Sequence, residues 1–354
     1  MSRIVVYDLN NRPADEFTRM VDVTWTINGN PFSSGGGYNT VELPISFASK
    51  SALQFGRMVT IHHAGGTLPI WAGVIDPPWY GAGPVKMTLY NAEYLMSMRT
   101  PDNPFTMSAS LATILAECIR QINAQEELYI RLGDTTGLPA TQVDITFDQR
   151  DFWQQIKKML QDNGAEMVVR PVIDTSDDNR LYIYLDVKQN VGVTTNYLLH
   201  DGLNANMKIQ QSDSVLDAVT KNALIVNRVI GISGASTSAS RKQTAPQIDA
   251  ASITKYRLRS SVQKFGNTET DSTLLANTQA YLSYNAYPIL KLRAQIYDTA
   301  NAYSNCAPGN LFLVNAGNMW LPGAVHGWAG AMRLITMEYQ EANGFLLADL
   351  FGAL

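Results

Sequence analysis

The sequence predicts a mainly β fold with an α+β insertion: two β-rich ends, the first a small barrel, flanking a mixed central module. Three observations predict it. Gly56 to Ile61, Ile70 to Ile75 and Val85 to Tyr90 are short β-rich runs. A Gly65-Gly66 turn and a Pro- and Gly-rich break separate them, making a meander that closes into a small barrel. Two apolar stripes at helical spacing then follow between residues 101 and 202. Beyond about Leu203 strand-like runs return, so the two ends allow a duplicated barrel that has lost sequence similarity.

The elements follow in order. Arg3 to Tyr7 is a short strand, without the length and flanks of a leader peptide. From Phe17 to Asn28 the residues alternate. Val21, Val23, Trp25 and Ile27 fall on one face and Asp22, Thr24 and Thr26 on the other, the period of a half-buried strand. Ser33 to Gly37 is a flexible loop, and Tyr38 to Leu43 is a strand stopped by Pro44. Asn91 to Met98 continues the meander's last run outward. Thr100-Pro101-Asp102-Asn103-Pro104 marks a domain boundary.

Ser108 is placed to cap a helix carrying Leu111, Ile114, Leu115, Cys118, Ile119 and Ile122 on one stripe. Val143 to Phe147 alternates as a strand. Asp151-Phe152-Trp153 opens a second helix with Trp153, Ile156, Met159 and Leu160 on its apolar face, ended by Asn163-Gly164. Glu166 to Val172 pairs with Arg180 to Val187 across a polar loop. Met207 to Gln210 and Ala223 to Ile232 read as strands, and Ser233 to Pro246 as a long mobile loop. Asp271 to Tyr287 is a helix with Leu274, Leu275, Thr278, Tyr281 and Leu282 on one side, and Pro288 ends it. Three strands follow, Ile289 to Ile296, Leu311 to Val314 and Met332 to Tyr339, and Phe345 to Phe351 closes the chain. The divisions are 1–100, 101–202 and 203–354.

Composition narrows the function classes. The 354 residues are 45% hydrophobic and only 16% charged, below the usual quarter, and Ser, Thr, Asn, Gln and Gly fill the difference. Such a surface suits contacts between subunits. The net charge of −4 argues against a protein that binds nucleic acid by neutralising phosphates. The most basic stretch, Arg241-Lys242 with Lys255, Arg257 and Arg259 nearby, reads as a solvated loop face. Cys118 and Cys306 indicate no disulfide framework. No run approaches the roughly 18 apolar residues of a membrane helix.

A search for chemistry yields no catalytic, cofactor-binding or metal-ligating residues, and a non-enzymatic role is expected. His62, His63, His200 and His326 belong to no metal spacing, and adjacent strand residues such as His62 and His63 point to opposite faces. Gly231-Ile232-Ser233-Gly234 lacks the context of a nucleophile elbow. Asp174, Asp177 and Asp178 lack calcium-loop spacing and read as a solvated hairpin tip. Glu117, Glu126, Glu127, Asp144 and Asp148 leave glycoside hydrolysis open, since any two acids can meet in space. Trp71, Trp79 and Tyr80 leave sugar stacking open beside core packing.

Three blocks carry a family resemblance. Gly56 to Ile61 leads to Trp71-Ala72-Gly73-Val74-Ile75, a W-x-G-x-I turn, and then to Met87 to Leu95. Asp151 to Ile156 leads to Asn163-Gly164-Ala165-Glu166. Tyr287 to Leu290 leads to Ala307 to Val314 and Met332 to Met337. In order and spacing they resemble the baseplate or tail-tip hub proteins of long-tailed bacteriophages. That resemblance implies two tube-like β-barrels, at 1–100 and 203–354, flanking the central α+β module at 101–202. It implies a homotrimer that closes the distal end of the tail tube and presents a pseudo-sixfold surface to it. The implied partners are the tail-tube or distal tail protein, tail-tip or fibre proteins and the tape-measure protein. DNA is met only in transit, and no stable membrane insertion is implied. The implied location is the virion tail tip, after synthesis in the host cytoplasm. Wall-degrading activity, carried by many relatives on an extra domain, is expected on another protein. A cell-wall hydrolase or a carbohydrate-binding tail protein is the alternative.

Overall fold

The structure is a computed structural model. It describes residues 2–20, 22–28, 38–47, 50–62, 68–76, 83–140, 142–148, 150–189, 191–202, 207–209, 215–216, 225–233, 241–265, 271–287, 289–297, 306–321, 325–340 and 345–353. The N-terminal strands are β1 (Arg3–Tyr7), β2 (Pro13–Phe17), β3 (Asp22–Asn28), β4 (Tyr38–Leu43), β5 (Met58–His62), β6 (Trp71–Ile75) and β7 (Val85–Asn91). The central part holds α1 (Tyr94–Ser97), β8 (Phe105–Ser110), α2 (Leu111–Gln125), β9 (Ile130–Leu132), β10 (Gln142–Phe147), α3 (Phe152–Asp162), β11 (Glu166–Asp174) and β12 (Arg180–Lys188). There follow β13 (Thr194–His200), β14 (Met207–Ile209), β15 (Val215–Leu216), β16 (Arg228–Ser233), β17 (Gln247–Ile248), α4 (Ala250–Tyr256), β18 (Ser260–Phe265) and α5 (Asp271–Asn285). The last strands are β19 (Ile289–Ile296), β20 (Leu311–Leu321), β21 (Val325–Gln340) and β22 (Phe345–Ala353).

The chain is mainly β, as the sequence predicts. The two β-rich ends share one 14-stranded sheet, whose path runs β14-β19-β22-β21-β3-β4-β7-β6-β5-β1-β2. They meet where β3 lies antiparallel to β21, from Thr336 opposite Asn28 to Gln340 opposite Thr24. One hydrophobic core spans the junction, joining Val23, Val41 and Leu89 to Leu292, Leu334 and Leu350. The β13 strand lies parallel to β20 at one margin. Among the described residues there are three smaller sheets: β8 with β10, the β11–β12 hairpin with β9 parallel to β12, and β17-β16-β18.

The first two strands of the meander are buried on both faces. Every residue of β5 and β6 is buried. On one side Val59, Ile61, Trp71 and Ile75 enter the shared sheet core. On the other, Val5, Tyr7, Met58, Ala72 and Val74 pack on the helices of the central module, among them Leu115, Cys118 and Ile122 of α2. Two-sided burial removes the alternation between buried and exposed positions along both strands. The W-x-G-x-I segment has a steric logic. The Trp71 indole N–H donates to Asn91 Oδ1 at 2.9 Å while its ring covers Gly73. A methyl group on Gly73 would stand 2.0 Å from that ring and 2.1 Å from the Tyr90 carbonyl oxygen.

Several elements differ from the sequence expectation. The run from Asn91 to Met98 does not continue as strand. Leu95 and Met96 turn into the core on α1, and Tyr90 and Tyr94 stack at 4.5 Å. Ser108 does not cap α2, because pairing with β10 carries β8 on to Ser110. Ser110 is the cap, its hydroxyl accepting from the Thr113 amide at 3.3 Å. The buried stripe of α3 begins at Phe152, with Trp153 only half-buried. On α5 the buried positions are Leu274, Asn277, Thr278 and Leu282, while Leu275 is exposed. The alternation from Phe17 to Asn28 is divided between β2 and β3, and Val23 is buried. The β2, β8, β9, β13, β15, β17, α4 and β18 elements go unread in the sequence. Val21, the Ser33–Gly37 loop, the Gly65-Gly66 turn, residues 234–240 of the Ser233–Pro246 loop and Pro288 lie outside the described residues. So do Gln210 of the strand read from Met207 and Ala223 and Leu224 of the strand read to Ile232. The side chains of Trp25 and Ile27 lie outside as well.

Substituting Gly73→Ala is expected to cost about 3 kcal/mol, an overpacking penalty against both ring and backbone. Exposed Gly83 has open space where a Cβ would stand, so Gly83→Ala serves as the neutral control. Thermal unfolding followed by circular dichroism checks both.

Candidate functional site

The sequence-nominated residues that the structure describes lie apart, most with partners of their own. His62 is fully buried in a polar chain: Arg3 donates to its Nδ1 at 3.1 Å, leaving Nε2 to donate to Thr60 Oγ1 at 2.9 Å. Tyr7 lies 3.1 Å from the same hydroxyl, its pKa raised by burial. His200 is half-buried on β13. His63, Trp79, Tyr80 and the His326 side chain lie outside the described residues. Among the described residues no group of three or more His, Cys, Asp or Glu could hold a metal ion.

The five acids each have their own partner. Glu117 is forked by Arg120 and also accepts from Gln121, which hold it ionised down to about 2. Glu126 pairs with Arg99, Glu127 with Arg131 at 2.9 Å and Asp148 with Arg150 at 3.1 Å. Asp144 accepts from the Ser108 hydroxyl. At the hairpin tip Asp177 accepts from Arg180 and Tyr182, and Asp178 pairs with Arg12 at 3.2 Å. Trp71 is a core residue. Both thiols are buried and free; burial raises the pKa of Cys118 and pushes Cys306 up to about 12, so neither is an activated nucleophile.

What the fold does build is a clasp between the central module and the closing strands. Glu166 opens β11, and Arg333 stands on β21 opposite Leu311. Arg333 Nη1 donates to Glu166 Oε1 at 2.5 Å, and Nη2 to Glu166 Oε2 and, at 2.6 Å, to the Val191 carbonyl. Its Nε donates to the Gly309 carbonyl at 3.1 Å, and Glu166 Oε2 also accepts from the Val191 amide at 3.0 Å. Four of the five guanidinium positions a planar fork can offer are thereby engaged around a two-pronged carboxylate. Beneath the ion pair the backbones of Gly192 and Gly309 cross. Their φ values are 94° and 93°, and a methyl group on Gly192 would stand 2.1 Å from the Gly309 carbonyl carbon. Flanking bonds run from the Val193 amide to Asn310 Oδ1 and from the Leu311 amide to the Val193 carbonyl, both 3.0 Å.

A second tether lies at the opposite end of the β11–β12 hairpin. Asn11, buried and at φ 55°, donates through Nδ2 to the Leu181 carbonyl at 3.0 Å and accepts from the Leu181 amide at 2.8 Å. The central module is thus pinned at both ends of one hairpin. No sequence signal marked Glu166 with Arg333, whose ion pair spans 167 positions.

No protein-family model matches the sequence. No curated protein sequence matches it either. Solved structures do match. Prophage tail protein gp18 from Listeria monocytogenes is 14% identical, with 99% of this chain and 94% of that one covered at a TM-score of 0.62. The 43 kDa tail protein of prophage MuSo2 from Shewanella oneidensis is 12% identical over 99% and 98% of the two chains, at 0.61. A tail protein from Neisseria meningitidis is 11% identical over 99% and 96%, also at 0.61. The chain therefore carries the fold of phage tail proteins along almost its entire length. The resemblance read in the sequence holds at the level of the fold.

Arg333→Met leaves the Glu166 carboxylate without its cation, and Glu166→Gln removes the charge the fork needs. Each is expected to lower stability by about 2 kcal/mol. The double variant should lose less than the sum of the two, read in a urea-denaturation double-mutant cycle; strict additivity would refute the clasp. For Glu117, whose folded pKa is depressed, the Arg120 contact stabilises above the ordinary carboxylate pKa and fades as pH falls toward about 2. Glu117→Gln should therefore be less stable than the parent at neutral pH and converge with it at the acid end of a stability–pH series.

Proposed function

We propose that this chain is a structural hub of a phage tail. Three copies form a ring that closes the distal end of the tail tube and links it to tip or fibre proteins. In this reading 1–100 and 203–354 are the two tube-like barrels and 101–202 the module between them. The observation that carries the reading is the shared fold over 99% of the chain with prophage tail proteins.

The architecture supports it further. The two β-rich ends lie side by side in one sheet, so a ring of three copies offers six platforms, matching a sixfold tube. The clasp and the Asn11 tether fix the central module against both platforms, and a ring needs that rigidity for its parts to register. The low charge content suits a lumen through which DNA passes without being gripped. The partners of such a ring are the tail-tube or distal tail protein above and the tape-measure, tip or fibre proteins around it. Its place is the virion tail tip, after synthesis in the host cytoplasm.

The purified chain is expected to sediment at three times its 39.0 kDa mass at micromolar concentration, or on addition of tail-tube protein. A 39.0 kDa species under every condition would end this reading.

A further inference from the structure

Segment 225–265 departs in charge from the rest of the molecule. It contains seven cations and one carboxylate, within a chain whose net charge is −4. Most described cations elsewhere face a carboxylate, whereas here only Lys242 does, against exposed Asp271 at 3.3 Å. Arg228, Arg241, Lys255, Arg257, Arg259 and Lys264 make no ion pair among the described residues. Arg228 and Lys264 stand on the strands of one small sheet, Arg257 and Arg259 just before β18, and Lys255 on α4. In the parallel β16–β18 pair, Arg228 lies opposite Ser260, Ile230 opposite Val262 and Ile232 opposite Lys264. Val229 and Gly231 alternate with these and face inward, Gly231 against Thr278 of α5. The other face is outward, and it carries an apolar strip between its cations: half-buried Ile230 and Ile232 with Val262 and Ile248, exposed at 60% and 58%.

The edge of this sheet is open as well. Among the described residues β18 pairs with β16 alone, so backbone donors and acceptors along its other side face no described strand and can take a further one. Arg257, at φ 63°, turns the chain into that edge and is held by Asn227, whose amide donates to its carbonyl at 2.7 Å. Arg257 and Arg259 flank the entrance of the strand, and Lys264 stands near its exit. Over six residues the cations bracket about 20 Å of edge.

We propose that β18 is a docking edge for an acidic, extended segment of a partner protein. The segment adds as a further strand, places apolar side chains on Val262 and the Ile230–Ile232 strip, and sets its carboxylates against Arg228, Arg257, Arg259 and Lys264. The apolar strip favours protein over nucleic acid, because phosphates would engage the cations and leave the strip uncovered. The charge favours an acidic segment over a neutral one. This inference does not rest on the hub reading.

The test uses the full chain at 50 mM salt and a fluorescein-labelled octapeptide of alternating Val and Glu. Its comparators are an alternating Val–Lys octapeptide, octaglutamate and a 20-base-pair duplex. The Val–Glu peptide is expected to bind most tightly, and its affinity to fall at least tenfold in the double variant Arg257→Glu/Arg259→Glu and in Val262→Asp, with far-UV circular dichroism reporting the fold. Strand addition has a signature that charge attraction lacks: hydrogen exchange should slow at the amides of 259–265. The proposal is overturned if the duplex binds more tightly than the peptide, or if no peptide binds. It is also overturned if exchange on β18 is unchanged, or if the parent chain self-associates through this edge and charge reversal abolishes that.

Discussion

The β1–β5–β6 layer has no solvent face, and the rest of the molecule is arranged around that constraint. Its outer residues complete the core shared by the two sheet halves, and its inner residues complete the core of the central module. Neither core closes without it. A substitution in this layer disturbs two hydrophobic clusters at once, and there is no exposed side toward which a side chain can relax. Gly73 shows how tight the arrangement is, since even a single carbon at that position has no room.

Hydrophobic contact holds the module to the sheet but does not by itself fix its angle. The polar contacts at the two ends of the β11–β12 hairpin do. At one end a guanidinium reads a carboxylate and two carbonyls; at the other, a buried asparagine side chain and backbone pair with Leu181. These are directional bonds with short reach, and they lie about the length of a nine-residue hairpin apart, roughly 30 Å. Two anchors so far apart resist rotation better than two adjacent ones.

Most elements were legible in the sequence because their signals are local. The meander, the stripes of α2 and α3, the β11–β12 hairpin and the closing strands all declare themselves by period and punctuation. Where tertiary pairing competes with a local signal, the pairing prevails. Ser108 and Ser110 are equally good caps in sequence, and the ladder to β10 selects the second. Asn277 takes a buried place on α5 that the pattern assigns to Leu275. The β17–α4–β18 unit is weakly apolar and rich in Lys and Arg, and it is ordered by parallel pairing that no local rule announces. The clasp was invisible for the same reason. Glu166 and Arg333 are ordinary surface residue types until the fold brings them together. The basic stretch around Arg257 was seen, but only the sheet reveals that its charges flank an edge strand that has a single partner among the described residues.

The pairing of β3 with β21 carries a consequence for biosynthesis. Trp25 finds Tyr339 across more than three hundred positions. At roughly 5–20 residues per second, the ribosome delivers the second strand some 15–60 s after the first. Until then β3 has one neighbour and a bare margin. Contacts of this range also fold slowly once available. The newborn polypeptide therefore spends its most vulnerable interval with a sticky seam uncovered. Shielding residues 22–28 until β21 emerges favours correct folding.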